Sequence, residues 1–364
     1  MDQVEVVTDV INDKVEVTAN VTAGFLESPG DYILRASILC VFAIVGIVGN
    51  LLVFLAIALS RKLQTMTSLL IVNLSAGDIV ICLVLPFQAA GLVSADGWPL
   101  PRATCKLIAA LTLDAAVCSV ITIMLIALSR CVLITKPRQT YRRIFSARNV
   151  GCMVVFSWLY PTITLVIPQL SGHGRLGYDK YSRHCVYDFA HPKGKLFAGL
   201  YAASAFIAFV ITFVCYGLIF KHVKKSAIAL GRSSGDSRQR NIELIITKNM
   251  LCVVCCYILC LSPAAVVYVA VGVLRGRDIQ HSDVLLVSTY VAGMLVVFNS
   301  IINPMIYGWK HPHFRVVMGC MLRGRWREIP QPSRSLARFL AERDRDRQKS
   351  GTTETGQGTL DSAT

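Results

Sequence analysis

Hydrophobic residues along this chain gather into long, nearly uninterrupted runs, without the short alternations of a soluble fold. A helix needs about 20 residues to cross a bilayer. Runs of that length occur near residues 36–60, 68–93, 105–134, 150–170, 197–220, 250–273 and 284–308. In hydrocarbon the backbone must satisfy its own hydrogen bonds, which predicts helices and not strands. The expected fold is therefore all-α, a seven-transmembrane helix bundle over residues 33–308. Residues 309–322 then place Trp309, Phe314, Val317, Met318 and Leu322 on one side of a short amphipathic helix, expected to lie on the membrane surface. Residues 1–32 read as an extracellular tail. Residues 323–364, rich in Arg, Asp and Glu and then in Gly, Ser and Thr, lack apolar periodicity and read as a disordered cytoplasmic tail.

Composition agrees with a membrane protein: 54% of residues are hydrophobic and 16% charged, too apolar for a soluble chain of this size. The formal charge of +15 would suit nucleic acid, but the basic residues sit in connectors, which makes the lipid bilayer the better partner. Arg61 and Lys62, then Lys136, Arg138, Arg142, Arg143 and Arg148, then Lys221, Lys224, Lys225, Arg238 and Arg240 mark the cytoplasmic side. The N-terminal stretch lacks the basic start and apolar core of a secretory signal, so the first run sets the topology. Asn20 in Asn20-Val21-Thr22 is then an outside glycosylation acceptor, while the sequon at Asn73 lies within a span and should stay unmodified. Arg175, Lys180, Arg183, Lys193, Lys195, Arg275 and Arg277 fall in outer connectors and give the mouth a basic character.

Most of the thirteen cysteines lie inside apolar runs, where a thiol acts as a small hydrophobe, and none has metal-ligand spacing with a histidine. Cys105 and Cys185 differ. One opens the third span and the other precedes the fifth, both on the oxidising side, so a disulfide is expected to tie that connector over the bundle mouth. Cys320 in the surface helix is either a palmitoylation site or an unmodified, buried thiol.

Polar groups inside spans are costly and point to function. Asp78 is the costliest, and Asn50, Ser119, Asn299, Ser300 and Asn303 fall at depths where they could surround it. Two readings fit: an oxygen-lined site for Na⁺, a hard cation, or a water-filled network around a protonated carboxyl. No other cofactor is implied.

These landmarks carry a resemblance. Asn50 in Gly-Asn-Leu-Leu, Leu74 with Asp78, Cys105, Arg130, Trp158, Tyr216, Pro263 and Asn303-Pro304-Met305-Ile306-Tyr307 with Phe314 beyond match one landmark per helix of the rhodopsin-like G-protein-coupled receptors, in order and spacing, over about residues 33 to 320. Within that class, Ile167-Pro168-Gln169-Leu170 and Leu176-Gly177-Tyr178-Asp179 leading to Cys185, together with Ala208, resemble the melatonin receptors, the medium-chain fatty-acid receptor and the insect moody and trapped-in-endoderm receptors.

The resemblance implies a mechanism. Arg130 ends the third span at the cytoplasm, and Glu243 lies about 30 Å down the sixth helix from Pro263. An Arg130–Glu243 pair would hold the resting state, Glu243 solvated in a basic loop being the alternative. Outward movement of the sixth helix, pivoting at Pro263, would open a cleft for a heterotrimeric G protein. Tyr216 and Tyr307 would meet through water in the active state. The chain also departs from the pattern: Ser129 replaces the acidic residue before Arg130, Cys131 the tyrosine after it, and Leu261 the sixth-span tryptophan. Arg130 thus lacks its adjacent carboxylate, which weakens one resting constraint, and Leu261 removes the bulky rotamer switch, so ligand-free signalling is expected.

In the pocket, Thr112 occupies the position where amine receptors carry an aspartate, and Asp114 points about 200° away from it. Val297 stands where opsins carry the retinal lysine. Neither an amine nor a retinal ligand is expected. Gln169 keeps one melatonin-type amide position, and Phe189 replaces the other. A small apolar or amphiphilic extracellular ligand contacted by Thr112, Gln169, Tyr187 and Phe189 is expected. Enzymes are disfavoured because all seven histidines fall outside the expected spans, and transporters because no internal repeat appears. A receptor that sequesters ligand without coupling remains the rival. Ser333, Ser335, Ser350, Thr352, Thr353, Thr355 and Thr359 offer sites for receptor kinases and arrestin.

Overall fold

The structure is a computed structural model, and it describes residues 28–180, 182–187, 191, 193–229, 254–267, 270 and 283–343. Within these, seven apolar helices appear in the expected order: α1 (Pro29–Leu59), α2 (Met66–Val93), α3 (Arg102–Thr135), α4 (Ala147–Leu170), α5 (Gly194–Ala229), α6 (Val254–Val267) and α7 (Asp283–Lys310). All except α6 are long and apolar enough to cross a membrane; the expected sixth run extends past the described part of α6 at both ends. α8 (Pro312–Leu322) follows.

The bundle has a centre and a rim. α2 and α3 each bury 67% of their most apolar stretch, whereas α1 and α4 bury 28%. The remaining apolar surface of α1, including Ile44 and Val48, is exposed, as expected of a helix that faces lipid on one side. Close approach of the helices depends on glycine. A Cβ on Gly46 would meet the Cys82 sulfur, one on Gly49 would lie 2.8 Å from Pro304 Cγ, and one on Gly77 2.9 Å from Ser119 Oγ. With no water to drive association inside lipid, such small-residue contacts let dispersion forces hold helices together.

Four features differ from expectation. First, α1 begins at Pro29, inside the stretch read as tail. Ser28 caps it by accepting from the Asp31 amide, Pro29 suits a first helical position, and Asp31 complements the helix dipole. Second, the connector before α5 adds a hairpin to an otherwise helical chain, β1 (Leu176–Asp179) pairing antiparallel with β2 (His184–Tyr187). Third, α8 turns Phe314, Val317, Met318 and Met321 inward against the bundle, while Leu322 is exposed on its other side and Trp309, also exposed, belongs to the last turn of α7. The expected apolar side was thus a mixture of two faces.

The fourth concerns the tail. Residues 323–343 are not featureless: they form a turn at Trp326–Glu328 and a helix over 334–343, and they bury Ile329 and Leu336. Ile329 stands alone among charged residues, and the run opened by Leu336 is too short to set a period, yet both residues fill niches against the end of α1. Ser333 is buried there too, so it is closed to kinases in this conformation, whereas Ser335 is exposed.

The Gly49–Pro304 contact yields a prediction. Gly49→Ala should destabilise the bundle by about 1–3 kcal/mol, because the rigid pyrrolidine ring cannot yield. Gly151→Ala, with nothing within 4 Å of its Cβ position, should not. Thermal unfolding of both variants in detergent checks this, and equal melting temperatures would refute the packing argument.

Candidate functional site

On the expected topology, with the basic connectors inside, the outer end holds Cys105 and Cys185 in the expected disulfide, with Cα atoms 5.3 Å apart. Gln88 reinforces it from α2: its amide nitrogen donates to the Cys185 carbonyl at 3.0 Å, and its amide oxygen accepts from the Cys185 N–H at 2.9 Å. This side chain acts as a third strand edge, pairing with both backbone groups of Cys185. The Tyr178 hydroxyl donates to the Gly91 carbonyl at 2.9 Å, and Trp98 packs against its ring.

A second anchor was not foreseen from the sequence. Arg35 pairs with Asp31 at 2.5 Å and lies 4.8 Å from the Tyr32 ring and 4.7 Å from the Tyr290 ring; Arg183 of the hairpin stacks on Tyr32 at 3.9 Å. Cation and aromatic faces therefore alternate from the hairpin through α1 to α7. His184 lies beside this stack, its Nδ1 against the Ser182 carbonyl. Burial, with the Arg35 charge adding to it, pushes its imidazole below the ordinary range.

Below the hairpin, Gln169 is buried and its amide oxygen has no hydrogen-bond partner among the described residues. Phe197 approaches it over Gly174 and meets Tyr187 edge-on at 6.3 Å. Gln169 and Tyr187 thus share a neighbourhood. Thr112 instead spends its hydroxyl on the Ile108 carbonyl, and Phe189 lies outside the described residues. Asp114 does face away, toward α4. Its Oδ1 accepts from Thr162 at 2.8 Å, where α4 widens into a π turn (Thr162–Val166) after Pro161.

Deeper, the polar set comes together. Asn303 donates to Asp78 at 2.9 Å, and Asn50 donates to the Ser300 and Gly46 carbonyls at 3.0 and 2.9 Å. Asp78 has no exposed surface. The amide donors of Asn50 and Asn303 are spent, while Asp78 Oδ1, Ser119 Oγ, Asn299 Oδ1, Ser300 Oγ, Asn303 Oδ1 and Asn50 Oδ1 remain without partners among the described residues. Four of these six oxygens, on Asp78, Asn299, Asn303 and Asn50, can only accept, while the two serine hydroxyls can also donate, so the set fits a cation or the protons of water. Asn73, beside this set, is buried and donates to Thr122 and Ser157 while accepting from Trp158, which leaves its sequon closed to glycosylation.

One residue in this layer escaped the sequence reading. Tyr257 of α6 is almost fully buried, packs edge-on against Phe209 at 6.0 Å, and its hydroxyl has no partner among the described residues. A hydroxyl in an apolar helix four residues before Leu261 was the available signal. Leu261 itself is buried in the main core, whereas Pro263 is exposed.

At the inner end, the charge of Arg130 reaches the Tyr216 and Tyr307 hydroxyls, both buried and unpartnered among the described residues. His311, between α7 and α8, completes this group; burial, with Arg130 and His313 nearby, pushes its imidazole down to about 3, so it is neutral in any cell. Ser129 has found other partners: its hydroxyl lies 2.9 Å from Thr67 Oγ1 and 3.4 Å from the Tyr141 hydroxyl. The triad ties α3 to α2 and to the short connector helix Arg138–Ile144. Glu243 and Asn20 lie outside the described residues, and Cys320 is half-buried.

Residues 49–307 match the family described as 7 transmembrane receptor (rhodopsin family). The chain belongs to the rhodopsin family of seven-transmembrane receptors. It is accordingly a multi-pass membrane receptor and not an enzyme. Relatives of the receptor include melanopsin-A of Danio rerio, 26% identical over 79% of this chain and 49% of that protein, and an allatostatin-A receptor of Bombyx mori, 28% identical over 75% of each. A rhodopsin, GQ-coupled, of Mizuhopecten yessoensis is 28% identical over 76% of this chain and 56% of its own length. The receptor thus spans only about half the length of two of these relatives. Squid rhodopsin shares the fold, with a TM-score of 0.71 at 22% identity over 81% of this chain and 86% of that one.

The receptor's outer hairpin should be sensitive to acid. An exposed His184 would titrate near 6.5, and the folded hairpin holds it below that value. The unfolded state therefore binds the proton more readily, and hairpin stability is lost as pH falls through 6.5. Hydrogen exchange of residues 176–187 should be faster at pH 5.5 than at 7.5 after correction for intrinsic rates. His184→Gln should remove the difference; a dependence unchanged in that variant would refute the assignment.

Proposed function

We propose that this receptor sits in the plasma membrane with its N-terminus outside and its C-terminus in the cytoplasm, binds an extracellular ligand and promotes nucleotide exchange on a heterotrimeric G protein. The observation that carries this is the convergence of Arg130, Tyr216 and Tyr307 at the inner end of the bundle. A charged arginine beside two buried tyrosine hydroxyls, each lacking a partner among the described residues, is poised for a second arrangement in which those groups pair differently. The GQ-coupled relative supports coupling. A small apolar or amphiphilic ligand beneath the hairpin, held by the Gln169 amide and the Tyr187 ring, fits the apolar surroundings there. Gln169, Ala208 and the Leu176–Asp179 strand favour the melatonin-like branch within the family, and Val297 argues against retinal. Receptor kinases and arrestin would act on Ser335, which is exposed, and on the serines and threonines beyond residue 343.

The reading is tested by nucleotide exchange in membranes containing the full chain. Wild type should exceed empty membranes without added ligand, since Ser129 gives Arg130 no adjacent carboxylate; Arg130→Ala should fall to background, and Ser129→Asp should lie between. Exchange at background in wild type, unaffected by either change across lipids, indoles and peptides, would favour the rival in which the receptor sequesters ligand without coupling.

Asp78 would hold Na⁺ together with oxygens of Ser119, Asn299 and Asn303, the ion supplying charge that neutralises the carboxylate. Support comes from the surplus of unpartnered acceptors. With sodium at ten to a hundred times its Kd, the purified receptor should gain about 1.4 to 2.7 kcal/mol over choline chloride. Asp78→Asn should abolish the gain. Equal melting in both salts would favour a protonated Asp78 in a water network.

A further inference from the structure

The chain does not leave the bundle after α8. Arg323 and Gly324 close the helix with a reverse turn: Gly324 takes φ +68, its N–H donates to Met321 O at 3.1 Å, and the Arg325 N–H donates to Cys320 O at 2.8 Å. Glycine adopts that φ at the least steric cost. The turn sends residues 329–333 back along the end of α1. There the Arg61 N–H donates to Gln331 O at 2.9 Å, the Ser333 N–H donates to Leu59 O at 2.8 Å, and Ser60 Oγ donates to Pro330 O at 2.7 Å. Ser60 is fully buried by this clasp, and Ile329 and Leu336 enter the same core as Ile57, Leu63 and Met321. Ser333 then caps the helix over 334–343, accepting from the Leu336 N–H at 3.3 Å.

This clasp fixes the height of the segment. Leu59 is the last residue of α1, so residues 329–343 are held where a membrane span ends. Their outward surface combines two properties. Phe339 is 56% exposed and Leu322 72%. Around them Arg323, Arg325, Arg327, Arg334, Arg338 and Arg343 are all exposed, against Glu328 and Glu342. The Arg325–Glu328 pair is itself exposed, and so offsets little of the positive charge.

We infer that residues 322–343 form a second membrane-surface anchor, a basic amphipathic element clasped to the first inner connector that binds anionic phospholipid headgroups and inserts Phe339 and Leu322 at the acyl boundary. Charge complementarity selects the lipid: clustered arginines beside a span end attract an anionic leaflet, and adjacent apolar side chains convert attraction into insertion. The hydrogen-bonded clasp holds the element at that depth without a lipid modification. The leaflet it meets is the inner one on the orientation proposed above.

Full-length receptor in nanodiscs of phosphatidylcholine, with or without phosphatidylserine, tests this by hydrogen exchange over residues 329–343. Amides of 336–343 should exchange several-fold more slowly in the anionic discs. Arg334→Gln/Arg338→Gln should erase that difference while leaving the Ser333 amide protected, since its bond to Leu59 does not depend on lipid. Exchange that is equal in both lipids, as for a face reserved for a protein partner, would overturn the inference, and so would a lipid dependence that survives in the double variant. Because both leaflets of a nanodisc are alike and no G protein is present, neither result depends on topology or coupling.

Discussion

A carboxylate with no exposed surface is the constraint around which this bundle is arranged. Asp78 reaches the hydrocarbon layer on α2, and only one of its oxygens has a hydrogen bond among the described residues, from Asn303 of α7. Breaking that bond would leave a buried charge or an unsatisfied carboxyl, each costing far more than an ordinary contact. The surrounding structure follows from avoiding this. Gly46 lets α1 close on α2, Gly49 lets it close on the Pro304 ring of α7, and Gly77 lets α3 bring Ser119 up to α2. Asn50 then binds α7 backbone at Ser300. Packing by small residues and pairing by polar ones are thus parts of the same solution.

The same principle accounts for the two ends, where water is available on one side only. At the outer mouth, the connector carrying Cys185 would expose its backbone to the bundle interior; Gln88 supplies both missing partners. At the inner mouth, the loss of an acidic residue at Ser129 did not leave a hole. Thr67 and Tyr141 fill it with a hydroxyl triad. Arg130 consequently takes its surroundings from Tyr216, Tyr307 and the neutral His311, which is a softer environment than a charged neighbour would provide.

The sequence announced what depends on long patterns. Seven apolar runs, the Cys105–Cys185 link and the depth of Asp78 were legible because lipid imposes a length and a polarity on each residue it contacts. It concealed what depends on isolated residues brought together by tertiary contact. Tyr32 and Arg35 share one turn of α1, but Arg183 and Tyr290 come from two distant parts of the chain, and no local pattern groups the set. Tyr257 looks like one more aromatic in an apolar helix. Ile329 and Leu336 sit in a stretch dominated by charge, so periodicity could not distinguish docked chain from solvated chain. α8 misled in the opposite sense: its apolar residues are real, but they divide between a face that enters the bundle and a face that leaves it.

That division bears on how the inner end could move. The inward face of α8 places Phe314 5.5 Å from the Tyr307 ring, stacked on it, and His311 edge-on to Phe314 at 5.0 Å. Tyr307 is also one of the two hydroxyls near Arg130. Any rotation of α7 that redirects Tyr307 must therefore disturb the stack beneath it, and α8 is not free to follow, since Met321 and Leu336 share a core at the end of α1. The clasp at Leu59–Arg61 adds backbone hydrogen bonds to that resistance. Among the described residues, the hydrogen bonds that tie 323–343 to the bundle fall on the end of α1, on α8 and on the first inner connector. The tail therefore stiffens the inner end of the bundle on the side where α1, α7 and α8 meet.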